Sequence, residues 1–170
     1  SGEGVLWKTS IELPGRSSPI VWEDRIFLTG ATEQSREVYC FAIDSGNLLW
    51  QRAVGRDAPS TEECKVNEET GLAAPPPATD GQRIFAMFAS GDLAAFDLDG
   101  NELWHLNVGT PQNPYGHATS LTTYRDLLIV QLDQGERGDD ISKLMALRGS
   151  TGEVAWQVDR TVRASWATPI

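Results

Sequence analysis

Ala146-Leu147-Arg148-Gly149-Ser150-Thr151-Gly152, followed four residues later by Trp156, is a passage whose plan two earlier passages repeat. They read Ala42-Ile43-Asp44-Ser45-Gly46 ending at Trp50, and Ala95-Phe96-Asp97-Leu98-Asp99-Gly100 ending at Trp104. In all three a glycine precedes the tryptophan by four residues: Gly46 and Trp50, Gly100 and Trp104, Gly152 and Trp156. The tryptophans lie 54 and 52 residues apart. A period of this length marks stacked supersecondary units rather than one irregular core.

Within each period the apolar segments are short, rich in β-branched and aromatic residues, and bounded by Gly, Asp, Asn and Pro. That pattern predicts strands. The first unit gives Ser17–Trp22, Arg25–Thr29, Glu37–Ile43 and Leu48–Val54. The second gives Ala74–Thr79, Arg83–Phe88, Leu93–Phe96 and Glu102–Val108. The third gives His117–Tyr124, Leu127–Leu132, Lys143–Leu147 and Val154–Asp159. Tight turns at Glu23-Asp24, Asp80-Gly81-Gln82 and Arg125-Asp126 separate the first two strands of each unit, as hairpins require. Ser90-Gly91-Asp92 keeps the second turn of unit two short, whereas Ala31–Arg36 and Asp133–Ser142 lengthen it in units one and three.

Four antiparallel strands per unit at a steady period describe the blades of an all-β propeller. The expected blades are residues 17–54, 74–108 and 117–159, with an inserted loop at 55–73 between the first two. Residues 5–10 read as the outer strand of a preceding or closing blade, and 163–170 as the inner strand of a further one. Propellers typically have about four to eight blades, so about three blades with partial strands at both ends are expected to be a piece of a larger ring. Closure by self-association of two chains is the other reading, since open sheet edges expose unpaired backbone. The recurring tryptophans are expected to pack between blades, where a large buried aromatic supplies much contact area.

The chain has 170 residues, 40% hydrophobic and 22% charged, with a formal net charge of −10. An acidic balance disfavours nucleic-acid binding, which rests on Lys and Arg neutralising phosphates. It equally disfavours docking on anionic lipid by charge. No run of eighteen apolar residues occurs, so no membrane insertion by this segment is expected. The chain opens on Ser1-Gly2-Glu3-Gly4 without Met, and a removed upstream segment is expected.

The glycine–tryptophan passages resemble the pyrroloquinoline-quinone-like β-propeller repeat, whose tryptophan-docking pattern is Ala-x-Asp-x-x-Thr-Gly-x-x-x-Trp. Unit three keeps that spacing through Ala146, Thr151, Gly152 and Trp156, with Arg148 in place of the Asp. Units one and two keep Ala42, Asp44, Gly46 and Trp50, and Ala95, Asp97, Gly100 and Trp104, with shortened turns. The resemblance covers nearly the whole chain. It implies an extracytoplasmic location, periplasmic or secreted or membrane-anchored. Its members include quinone-dependent alcohol and sugar dehydrogenases, and also a barrel-assembly lipoprotein that binds a protein partner through its rim.

Two functions follow as expectations. The first is a non-catalytic scaffold that binds a protein partner or small ligand at the propeller loops, with no cofactor and no metal. The alternative is a dehydrogenase using pyrroloquinoline quinone with calcium, its site completed by blades outside this chain. Cys40 and Cys64 are not adjacent, unlike the paired cysteines that often lie beside the quinone in such enzymes. A Ser-His-Asp arrangement is not supported, because Gly149-Ser150-Thr151-Gly152 is a turn within the repeat. No catalytic residue is therefore assigned.

The binding candidates lie at the entries to the inner strands, which form one mouth of a propeller channel: Tyr115, His117, Arg163 and Trp166, with Arg16 and Glu69 on the same mouth. A His, Arg, Tyr and Trp together suit an anionic or aromatic ligand. Asp133–Asp140 is the densest acidic stretch; it lacks EF-hand spacing and reads as a solvated hairpin loop. Cys40 and Cys64 leave two readings open, a disulfide formed in an oxidising compartment or a buried free thiol at Cys40. A bridge between them would pin the inserted loop, with Glu62, Glu63, Glu68 and Glu69, as an acidic lip.

Overall fold

The computed structural model describes residues 4–55, 64 and 66–169. Glu62 and Glu63 of the inserted loop, the opening Ser1-Gly2-Glu3, and Ile170 at the end of the expected last strand lie outside the described residues. Three four-stranded antiparallel sheets follow one another along the chain, and they do not close into a ring. Blade one holds β1 (Ile20–Trp22), β2 (Arg25–Ala31), β3 (Arg36–Ala42) and β4 (Leu48–Ala53). Blade two holds β5 (Ala78–Thr79), β6 (Arg83–Met87), β7 (Asp92–Asp97) and β8 (Glu102–Asn107). Blade three holds β9 (Thr122–Tyr124), β10 (Leu127–Leu132), β11 (Ser142–Arg148) and β12 (Val154–Arg160).

The innermost strands are shorter than their apolar pattern suggests. They pair on one side only, with the second strand of their own blade. Pro19 and Pro75-Pro76-Pro77 also remove backbone donors just before β1 and β5. Residues 5–10 and 163–169 carry no strand. Thr123 Oγ1 donates to the Thr79 carbonyl at 2.9 Å, and Thr122 Oγ1 to the Pro169 carbonyl at 3.0 Å. Side chains, not a ladder, thus link one inner segment to the next.

Alternation along the strands of blade two explains the two cores. Ile84, Ala86, Phe88 and Phe96 face blade one and join Phe27, Val38, Cys40 and Trp50. Phe85, Met87 and Leu93 face the other way and join Trp104, Leu128, Val130 and Leu147. A strand with both faces covered reads as a continuous apolar run, because period-two polarity has no solvent side to mark. The opposite case is β12, where Val154, Trp156 and Val158 are all exposed.

Trp7, Trp50 and Trp104 each meet the glycine of the unit that follows. Trp50 lies over Gly100 and donates from Nε1 to the Leu98 carbonyl at 2.9 Å. Trp104 lies over Gly152 and donates to the Gly149 carbonyl at 2.8 Å. Trp7 takes the same place over Gly46, donating to the Ile43 carbonyl at 2.8 Å. A Cβ on Gly100 would come 2.7 Å from Trp50, and its φ is +82°, so the position needs glycine on both counts. The register slips by one residue beside Trp50, Trp104 and Trp156, between Cys40 and Phe41, Ala95 and Phe96, and Ala146 and Leu147. Such bulges re-aim a side chain, and at Trp50 and Trp104 the indole is turned toward the neighbouring blade.

The cysteines are separate free thiols, Cys40 buried and Cys64 half-buried. They sit at opposite ends of blade one: Cys40 feels Arg25 and Asp24, Cys64 feels Arg36 and Asp92. The bridge that would have pinned the inserted loop is therefore not made in this structure. Burial pushes the Cys40 thiol up to about 11.

Candidate functional site

In a four-stranded antiparallel blade the turn between the second and third strands lies at the same end as the connection to the next blade. The glycine turns lie at the other end. All the expected binding residues fall at the first of these rims, but they do not form one site.

Tyr115, Arg163 and Trp166 do come together, lining a hollow of about 310 Å³ with Gln112, Gly135 and Glu136. The Tyr115 and Trp166 rings meet edge to face, with centroids 4.9 Å apart. Backbone bonds hold the walls: Gly135 N–H to the Gln112 carbonyl at 2.9 Å, and Ala164 N–H to the Gly135 carbonyl at 3.0 Å. Asn113 accepts from the Tyr115 N–H at 2.8 Å, which sets the turn carrying the tyrosine.

Arg16 belongs to another hollow, of about 400 Å³, walled by Ala31, Glu33, Val66, Glu68 and Leu72. Its Nη2 donates to the Glu68 carbonyl at 3.2 Å. Glu69 is exposed beside that hollow, and its N–H is taken by Asn67 Oδ1 at 3.1 Å.

His117 lines neither hollow. It is 7% exposed, and its Nε2 donates to the Gly109 carbonyl at 2.8 Å. Its N–H bonds the Ala89 carbonyl at 3.0 Å, which draws the residue down against blade two. Burial pulls its pKa down to about 4, so the ring is neutral at ordinary pH. The sign of the pH effect follows. The unfolded His takes up a proton near pH 6.5 and the folded one only near 4. Stability is therefore expected to fall on acidification through this window, by up to about 3 kcal/mol. Urea denaturation at pH 7 and pH 4.5 tests it, with His117→Gln expected to lose that part of the slope; an unchanged slope in the variant would contradict it.

Two buried carboxylates escaped the sequence reading. Asp133, read as part of a solvated acidic loop, is 5% exposed. It accepts from Arg160 Nε and Nη2 at 2.8 and 3.1 Å, Gln131 Nε2 at 2.8 Å and Ser165 Oγ at 2.6 Å. It thereby ties the segment carrying Arg163 and Trp166 to blade three; only Glu136–Asp140 behave as the expected exposed loop. Asp92 is 3% exposed and pairs with Arg36 across the junction of blades one and two, Nε to Oδ2 at 2.7 Å. Ser90 Oγ donates to Asp92 at 2.6 Å, and Asn107 Nδ2 at 3.0 Å. The usable signal was polar residues flanking apolar strands, since a buried charge needs a partner.

The hollow at Tyr115 offers an aromatic wall with Arg163 and Glu136 at its edge, suited to gripping a side chain or small planar group. It does not fit a quinone with calcium. No group of three or more His, Cys, Asp and Glu among the described residues is arranged to hold a metal ion. Asp92 and Asp133 are each committed to an arginine.

Residues 1–165 match the family model described as outer membrane protein assembly factor BamB. No curated protein sequence matches the chain. Among solved structures, BamB from Moraxella catarrhalis superposes with a TM-score of 0.61 at 18% identity, over 93% of this chain and 43% of that one. A quinohemoprotein alcohol dehydrogenase from Comamonas testosteroni gives 0.60 at 19% identity, over 86% of this chain and 21% of that one. A europium-containing methanol dehydrogenase gives 0.61 at 21% identity, over 83% and 24%. Identities this low show a shared fold alone, and the chain spans less than half the length of each of these proteins.

Proposed function

The chain belongs to the family described by outer membrane protein assembly factor BamB, and on that premise we propose that it is part of an extracytoplasmic propeller that binds a protein partner at its rim. The carrying observation is the convergence of Tyr115, Arg163 and Trp166, from two separate connections, on one hollow. Aromatic and arginine side chains are the residues most enriched where partners bind tightly. A rigid sheet beneath, with the side chains on connecting loops, is the usual arrangement for recognition. This role needs no prosthetic group, and a titration of the intact protein with pyrroloquinoline quinone and calcium is expected to show no saturable heat.

A photo-crosslinking residue at the exposed Gln112 position tests the reading in cells. The expected result is a discrete protein adduct that is lost when Trp166→Ala is added. An adduct that survives the tryptophan replacement, or no adduct at all, would overturn it.

A further inference from the structure

The two hollows occupy equivalent places in the repeat. Each lies among the second-to-third-strand turn of one blade, the entry to that blade, and the entry to the next. In blade one these are Ala31–Glu33, Pro14–Arg16 and Val66–Ala73. In blade three they are Gly135-Glu136, Gln112–Tyr115 and Arg163–Trp166. The backbone bonds agree: Ala31 N–H to the Pro14 carbonyl at 2.8 Å corresponds to Gly135 N–H to the Gln112 carbonyl at 2.9 Å.

Blade two keeps the same bonds, Ala89 N–H to the Leu72 carbonyl and His117 N–H to the Ala89 carbonyl, both at 3.0 Å. Its turn, Ser90-Gly91, is short and buried. The corresponding place there is filled, because a Cβ on Gly116 would come 2.6 Å from that of Ala89 and 3.1 Å from Val66. Turn length thus sets whether the space is open. The filled place also joins the hollows: Thr70 Oγ1 donates to the Tyr115 carbonyl at 3.3 Å. Residues 66–71 therefore wall the first hollow and abut the tyrosine of the second.

We infer that the Arg16–Glu33 hollow is a second binding site, and that one extended polypeptide segment of a protein partner crosses the rim with a side chain in each hollow. This rests on the protein-binding reading above. Three observations select the occupant. Each hollow is apolar-walled and sized for a side chain. Each carries one arginine beside exposed glutamate, Arg16 with Glu33 and Glu68, and Arg163 with Glu136, which suits a chain bearing both charges. The hollows sit in repeat-equivalent places on one rim, joined through residues 66–71, so one continuous chain can run from one to the other. Two linked anchors also strengthen binding without new contacts.

A fluorescein-labelled peptide, selected on the intact protein from a displayed library of random linear peptides, is the probe. Tryptophan fills each hollow in turn through exposed residues without side-chain hydrogen bonds among the described residues: Glu33→Trp in the first, Gln112→Trp in the second. Glu102→Trp on an outer strand is the control, and unchanged melting temperatures establish that the variants fold. The expected result is a loss of affinity of about tenfold or more from each filling and none from the control. Loss only with Gln112→Trp overturns the second site and leaves the protein-binding reading standing. Loss with neither, or a library that yields no binder, overturns the shared occupant; the crosslinking outcome then judges the Tyr115 hollow alone.

Discussion

Replacing Asp92 with alanine is expected to lower the unfolding free energy of the intact protein by about 3–5 kcal/mol. The pair with Arg36 is buried on both sides, with side chains 5% and 10% exposed. Desolvating two charges is expensive, and their attraction in the interior offsets that cost only while both are present. Removing the carboxylate leaves the guanidinium with Ser90 Oγ, 2.9 Å from its Nε. It also strips Asn107 Nδ2 of an acceptor. The double replacement Arg36→Met with Asp92→Leu is expected to regain most of the loss, since apolar packing often matches a buried ion pair. Equilibrium urea denaturation of the four proteins in the cycle reads both effects. A loss below about 1 kcal/mol for Asp92→Ala would place the pair with weak surface bridges and refute the argument.

Trp104→Ala is expected to cost a similar amount, about 3–5 kcal/mol. The indole is 9% exposed, lies 6.1 Å from the Phe85 ring between centroids, and covers Gly152. Its loss opens a cavity between blades two and three and leaves the Gly149 carbonyl without its donor. Trp104→Phe keeps much of the packing and gives up the N–H bond, so it is expected to lose less. The contact with Gly152 has its own signature. A Cβ there would sit 2.8 Å from Trp104, and φ is +74°. Gly152→Ala is therefore costly in the native protein and cheaper once Trp104 is alanine, where backbone strain of about 1–3 kcal/mol and a contact with Leu106 at 3.2 Å remain. Additive losses in that cycle would show that the two residues do not act through contact.

The glycine–tryptophan spacing made the blades legible, because repeated packing demands repeated residues. Its local form does not name the contact partner. Gly46 precedes Trp50 by four residues, yet Trp50 covers Gly100. Each turn presents its glycine to the blade before it, then starts the strand that carries its own tryptophan forward. The candidate site was legible in part. Position in the repeat found Tyr115, Arg163 and Trp166, because every entry segment reaches the same rim. It did not separate Arg16 and Glu69 from them, since ring position says nothing about which neighbours share a hollow. His117 was lost to depth: two residues beyond Tyr115, the chain has already been drawn under by its bond to Ala89. Asp133 and Arg160 are 27 residues apart, and a pairing at that range leaves no periodic trace.

The glycine–tryptophan contacts sit at one rim of the blades and the turn-length hollows at the other. On the proposed binding role, cohesion and recognition are thereby inherited as separable traits. A lineage that inserts or deletes residues in a second-to-third-strand turn alters what that rim grasps, while the indole ladder that keeps the blades in place is untouched. Diversity among relatives is expected to gather at Ala31–Arg36 and Asp133–Ser142, with Gly46, Gly100 and Gly152 invariant. The same partition marks where a randomised library leaves the fold intact.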